Sequence, residues 1–385
     1  MIKGIFPVDK FRELQTPFYY YDIDLLRETL ELVCSETAQY GYLCHYAIKA
    51  NANPQILRII AESGLGADCV SGGEIQAALD AGFPAGKIVF AGVGKADWEI
   101  NLGLDNDIAC FNVESLAELR VLNALSKAKG KSATIALRIN PNVNALTHAK
   151  ITTGLPENKF GINVSQLPVL FDELLSMKNI RFAGIHFHIG SQITDMSVFR
   201  NLCIRFNEIQ DDLEAKGFAL PHANFGGGLG IDYYHPNHIP VPDIENYFAV
   251  FHKLVKQRHG QQIHFELGRS IVGQCGTMIS KVLYVKEGEV KKFAIVDAGF
   301  SDLIRPAMYD AYHRMENISC DEEVELYDVV GPICESTDIF GKDLELNKVR
   351  RNDLIAFRSA GAYCEIMASQ YNCRPLPKGY LSDMI

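Results

Sequence analysis

The run Tyr42-Leu-Cys-His-Tyr-Ala-Ile48 leads into Lys49, passes through a helix-like Pro54–Ser63, and is answered by Leu65-Gly-Ala-Asp-Cys-Val70. A short β-rich segment, a stretch with apolar spacing of three and four, and a second β-rich segment make the period of a βαβ unit. That period continues outward. Ile88–Ala91, Ile108–Phe111, Ala133–Ile139, Phe182–Phe187, His222–Phe225 and Gln262–Glu266 read as further strands. Between them lie helix-like Gly73–Ala81, Glu114–Ala128, Val198–Ala215 and Ile244–Arg258. Eight strands alternating with helices predict an α/β fold built on a (β/α)8 TIM-type barrel, with a doubly wound open sheet as the alternative. Past about residue 270 the long helices stop, and Met278–Val285, Lys292–Val296, Val324–Val330 and Asp353–Phe357 predict a C-terminal antiparallel β domain. The expected division is a barrel over 27–265 and a β domain made of 1–26 with 266–385. The early Phe18-Tyr-Tyr-Tyr-Asp22 is a candidate to pair with the barrel.

Composition narrows the function classes. Apolar residues at 48% and charged ones at 22% exclude a disordered or fibrous chain. A net charge of −10 without a basic run makes nucleic acid and anionic membranes poor partners. No stretch reaches the roughly 18 uninterrupted apolar residues of a membrane span. The apolar start breaks too early for a secretory signal. Ten cysteines without a C-x-x-C pair argue against a zinc ribbon or thioredoxin-type site, and read as reduced thiols in the cytoplasm.

In a barrel the chemistry sits at the C-terminal strand ends. Here those ends are ionisable or glycine-rich: Lys49, Asp68, Asn112, Arg138, His186 with His188, Gly226-Gly-Gly228, and Glu266. A desolvated Lys49 becomes a nucleophilic amine suited to imine chemistry, against the plain reading of an exposed strand-end lysine. Gly226, Gly227 and Gly228 offer backbone amides to a phosphate, or form a flexible turn; Gly268 and Arg269 could add an amide and a cation. Glu266 could keep a heterocyclic nitrogen protonated, or simply pair with Arg269 or Arg138. His186 and His188 share a strand face, so one could stack under a flat ring, both could ligate a metal, or both could be structural. Few further ligands are offered, and no metal is expected.

A reactive lysine, a phosphate loop and a carboxylate facing a ring nitrogen together describe pyridoxal 5′-phosphate. The chain resembles the diaminopimelate decarboxylases, fold type III pyridoxal-phosphate enzymes with an alanine racemase-like barrel. The resemblance runs from Thr16-Pro-Phe-Tyr-Tyr-Tyr-Asp22 to Tyr371-Asn-Cys-Arg-Pro375. It rests on Tyr46-Ala-Ile-Lys-Ala-Asn51, Ala67-Asp-Cys-Val-Ser-Gly-Gly-Glu74, Arg138–His148, Asn158–Ile162, His186-Phe-His-Ile-Gly-Ser-Gln192, Glu266-Leu-Gly-Arg269, Cys334-Glu-Ser336 and Gly361-Ala-Tyr363. It implies decarboxylation of meso-2,6-diaminopimelate to L-lysine and CO2, the last step of lysine biosynthesis. Lys49 would hold the cofactor, His188 would stack on its ring, and Glu266 would face the ring nitrogen with Asp68 nearby. Ser191, Gly226–Gly228, Gly268, Arg269 and Tyr363 would hold the phosphate end. Cys334 would return a proton to carbon, and Arg269, Arg305, Tyr309, Glu335 and Tyr363 would contact substrate. The resemblance also implies a homodimer whose β domains complete each other's sites.

A carboxylate-reading Arg305 separates this substrate from a diamine precursor, because a buried guanidinium beside a purely cationic tail is repulsive. Its bland alternative is a surface salt bridge, and that of Cys334 a buried inert thiol. Leu267 stands where the family usually has proline, and the tail after Pro375 is short, so a β-domain edge strand is expected to be missing or shortened. Ala145–Lys159 is the candidate lid. The competing functions are a related decarboxylase for another basic or carrier-linked amino acid, a racemase, and a non-catalytic homologue.

Overall fold

A computed structural model describes residues 6–141 and 159–385. The candidate lid, apart from Lys159, and most of the Arg138–His148 tract lie outside the described residues. The chain separates into two compact units, Leu30–Gly230 with Asp243–Gly268, and residues through Thr29 with Ile231–Pro242 and Arg269–Ile385. The sequence-based division left Ile231–Pro242 in the barrel, whereas these residues group with the second unit.

The first unit is a closed barrel. Strands Leu43–Ala47, Gly66–Cys69, Ile88–Phe90, Cys110–Val113, Ala133–Asn140, Ile180–His186, His222–Asn224 and Gln262–Leu267 pair in parallel with their neighbours. The last strand pairs back onto the first, which excludes the open sheet. Local sequence explains the alternation. Asn53 accepts from the Gln55 amide ahead of Pro54, Ser71 from Glu74, Ser115 from Glu118, and Asp243 from Asn246, so these four helices are started by side-chain caps. Phe187, Phe199, Phe206, Tyr247, Phe248, Phe251 and Phe265 are fully buried and pack the strands against helices Met196–Ala215 and Ile244–Leu254. Ring centroids in this cluster, such as Phe251 and Phe265, approach to 4.8 Å.

Two local features escape the sequence pattern. Helix Asp97–Asp105 carries Gly103 in its interior, which weakens the helical signal. The glycine is required by packing, since a Cβ there would lie 2.8 Å from the Phe111 ring. In strand Ile180–His186 the register slips by one residue at Ala183, opposite the Ile135–Ala136 step. Such a bulge resets which face the following residues occupy.

The second unit is a mixed, mostly antiparallel sheet. Its order is Met315–Asn317, Leu354–Phe357, Gly276–Glu287, Lys292–Val296, Val324–Val330, Ile339–Asn347. Lys292–Val296 and Val324–Val330 run parallel. Strand Phe18–Tyr21 joins this sheet and not the barrel: it lies antiparallel to Gly276–Ile279 and parallel to Lys378–Leu381. The expectation that it pairs with the barrel is therefore corrected. The tail supplies a four-residue edge strand, Lys378–Leu381, so that strand is not missing. Phe11, Phe18, Ile279, Leu354 and Ala356 form the core beneath it.

Candidate active site

The strand ends of the barrel unit bring most of the expected residues together. Lys49 occupies the turn Ile48–Ala50 after the first strand, with its Nζ 3.9 Å from Asp68 Oδ2 on the neighbouring strand. The lysine side chain is 37% exposed, whereas Asp68 is buried. Burial, and then the charge of Glu266, push the Asp68 carboxyl well above the usual carboxylate range, against the pull of Lys49. Its Oδ1 has no hydrogen-bond partner among the described residues.

Glu266 is buried and accepts from three side chains. Asn112 and Asn224 donate to Oε1 at 3.1 and 2.7 Å, and His186 Nε2 lies 2.8 Å from Oε2. Burial alone would raise this carboxyl; the charge and hydrogen bond of His186, with His45 and Lys49, outweigh it and hold Glu266 below the usual range. Among the described residues of the barrel unit, Arg138 is not its partner. Arg138 is taken up by Glu114 at 2.8 Å. The bulge at Ala183 precedes His186 by three residues and sets the phase in which that ring reaches Glu266. His188 lies beyond the strand. Burial, then the cations of Lys49 and Arg138, hold its imidazole well below its usual pKa, so at neutral pH it is an uncharged flat ring.

The glycine loop is fixed by close approach. Gly226 has φ +64°, and a Cβ on it would lie 2.3 Å from the Phe187 carbonyl and 3.1 Å from His188 Nδ1. A Cβ on Gly227 would lie 2.0 Å from the Glu266 carbonyl. The Gly228 carbonyl accepts from Ile193 at 2.8 Å, tying the Ser191 turn to the loop. The amide of Gly226 is already taken by Asn224 Oδ1 at 2.9 Å, so it is not available to a phosphate. Those of Gly227 and Gly228 have no protein acceptor among the described residues. Gly268 packs against Ala47 and Ala50, the residues bracketing the Lys49 turn, where an added Cβ would sit 3.1 Å from each methyl. Gly227→Ala must push the loop off strand Gln262–Leu267. It is expected to lower stability by about 1–3 kcal/mol, read as a fall in the thermal unfolding midpoint.

The remaining candidates lie on the second unit. Arg269 is buried, donates through Nη1 to the Tyr233 hydroxyl at 2.5 Å, and lies 4.9 Å from the Tyr363 ring centroid. Arg305 is buried at the start of helix Arg305–Tyr309 and lies 4.9 Å from the Tyr233 ring, so it is not a surface salt bridge. Tyr309, half-buried, ends the same helix. Cys334 and Glu335 are exposed on a loop anchored by the buried Asp338, whose carboxylate accepts from the amides of Ile333 and Phe300 at 2.7 and 2.6 Å. Tyr371 donates to Glu335 at 2.7 Å, and Asn372 Oδ1 accepts from the Cys334 amide at 3.2 Å. Cys334 is therefore a presented thiol and not a buried inert one. Asn224, Tyr233 and His313 were not singled out from sequence. For Asn224 a signal existed, since it is a polar residue closing a barrel strand.

These residues fit pyridoxal phosphate. An amine stands beside a buried carboxyl with one oxygen unpartnered, and a buried carboxylate faces the same strand ends. A flat neutral imidazole and a loop that only glycine can form complete the fit.

The comparisons with known proteins agree. The profile of the family described as "Pyridoxal-dependent decarboxylase, pyridoxal binding domain" matches residues 27–273. A diaminopimelate decarboxylase of Bacteroides thetaiotaomicron is 66% identical over 383 residues, covering 99% of each chain. The crystal structure of the Helicobacter pylori diaminopimelate decarboxylase complexed with L-lysine is similar with a TM-score of 0.91 and 38% identity, over 97% of this chain and 93% of that one. The corresponding lysine complex from M. jannaschii gives a TM-score of 0.91 at 36% identity, over 99% and 90%. With its barrel, its lysine and its glycine loop so placed, the chain belongs to the diaminopimelate decarboxylases of the pyridoxal-dependent decarboxylase family.

Proposed function

We propose a division of labour between the two units for the reaction this chain carries out, the pyridoxal phosphate-dependent decarboxylation of meso-2,6-diaminopimelate to L-lysine and CO2. Bound pyridoxal phosphate supplies an electron-withdrawing ring that accepts the electron pair left when the C–CO2 bond breaks. The barrel unit holds and tunes it. Lys49 Nζ is the covalent anchor, and Asp68 lies within 3.9 Å to order the hydrogen bonds around that amine. Glu266, ionised and held by three donors, keeps a proton on the ring nitrogen. His188 covers one ring face without adding charge. Ser191, the amides of Gly227 and Gly228, Gly268, Arg269 and Tyr363 hold the phosphate end.

The second unit reads and finishes the substrate. Arg305 and Tyr309 bind the distal carboxylate, with Arg269 and Tyr363 as further contacts. Glu335 takes the distal ammonium, and Cys334 Sγ delivers the proton that replaces CO2. The observation that carries this reading is the buried Glu266 carboxylate, held by Asn112, Asn224 and His186 at the end of the last barrel strand.

The exposed Cys334 and Glu335 support a homodimer in which each β domain serves the partner's barrel. All ten cysteines are free thiols, which supports a reducing, cytoplasmic setting. Among the described residues no helix is long and apolar enough to cross a membrane. Subunit mixing tests the shared site. Lys49→Ala and Cys334→Ala homodimers, each inactive in CO2 release from meso-2,6-diaminopimelate, are expected to recover about a quarter of parental activity when unfolded and refolded together, because half the dimers then carry one intact site. No recovery places both residues of a site in one protomer.

A further inference from the structure

Two buried cations, Arg269 and Arg305, share one aromatic support in the second unit. Arg269 donates to the Tyr233 hydroxyl, while Arg305 lies against the ring of that tyrosine. His313, only 1% exposed, stands edge-on to the same ring at 5.2 Å and 81°. Its two nitrogens have opposite duties. Nδ1 lies 2.9 Å from the Arg358 carbonyl oxygen, which can only accept, so Nδ1 carries the hydrogen. Nε2 then presents a lone pair, and Arg305 Nη1 donates to it at 2.8 Å. A protonated ring could not accept and would set two cations together. Burial, and then the charge of Arg305, push the His313 pKa down to about 3, so the lone pair is present throughout the neutral range. Arg258 and Arg350 meet carboxylates at the surface, whereas the acceptor that faces Arg305 Nη1 is a neutral imidazole, with the Tyr233 and Cys364 side chains also against the guanidinium.

We propose that His313 is a positioning residue for substrate selection: by accepting one N–H of Arg305 it fixes the guanidinium plane, so that the remaining donors form the fork that reads the distal carboxylate. A carboxylate in this place would neutralise Arg305, and an apolar residue would let the fork rotate. The proposal rests on the reading of Arg305 as the carboxylate contact.

The test compares two inhibitors of the holoenzyme. L-lysine keeps the carboxylate, and 1,5-diaminopentane is the same chain without it. His313→Leu is expected to weaken inhibition by L-lysine about tenfold, as for loss of one well-formed charge-assisted contact, and to leave 1,5-diaminopentane within about twofold. KM for meso-2,6-diaminopimelate should rise more than kcat falls. His313→Gln, whose side-chain oxygen can still accept from Arg305, should restore most of the L-lysine preference. Should the leucine variant not fold, judged by its thermal midpoint, His313→Met removes the same acceptor. If Arg305→Met collapses the inhibitor ratio while both His313→Leu and His313→Met keep the parental one, His313 has no positioning role. If Arg305→Met also keeps the ratio, the reading of Arg305 fails and the proposal falls with it.

Discussion

Lys49→Ala is expected to lower kcat by more than about 10³-fold, since it removes the covalent anchor. The amine sits in a turn held by its own strand and by the close packing of Gly268 on Ala47 and Ala50, so truncating it leaves no hole in the core. The thermal midpoint of the cofactor-free protein should stay near that of the parent. The visible absorbance of the bound cofactor should be lost or shifted, because the remaining contacts can only hold it non-covalently. Absorbance titration with pyridoxal phosphate, alongside the activity assay, separates loss of the anchor from loss of the fold.

Glu266→Gln is expected to cost about 10²–10³-fold in kcat, the scale seen when one preorganised electrostatic contact is removed from a site. The substitution preserves shape. Gln can still accept from Asn112 and Asn224, and its amide can donate to His186 Nε2 if that ring moves its hydrogen to Nδ1, which has no partner among the described residues. What it cannot do is hold a proton on a ring nitrogen. The pH dependence follows from the sign of the shift. The carboxyl of Glu266 lies below its usual range, so it is ionised at every pH above that range. The loss in the variant should therefore be uniform between about pH 5 and 8, with no displacement of the acid limb of the kcat profile. A variant whose activity returns at low pH would mean that a protonatable group other than Glu266 supplies the function.

Much of this arrangement is legible in the sequence. Alternation of apolar strands and helices places all eight barrel strands, because each is short, buried and flanked by its own cap or glycine. The ionisable strand ends Lys49, Asp68 and Glu266 are visible for the same reason. What stays hidden is non-local. Phe18–Tyr21 reads as a strand, but nothing within it specifies Gly276–Ile279 as its neighbour. The partner of Glu266 is His186, 80 residues away, and the Ala183 bulge that sets its phase has no periodic signature. Gly103 weakens a helix in order to admit Phe111. His313 carries no motif that announces its role; the role appears only once Tyr233, Arg305 and the Arg358 carbonyl converge on it.

The most direct measurement is borohydride reduction of the purified protein loaded with pyridoxal phosphate, followed by peptide mass analysis. The expected result is bleaching of the visible band and a stable cofactor adduct on the peptide containing Lys49, absent from Lys49→Ala. An adduct on a different lysine, or no adduct in an active preparation, would contradict the assignment of the barrel's first strand end as the catalytic anchor.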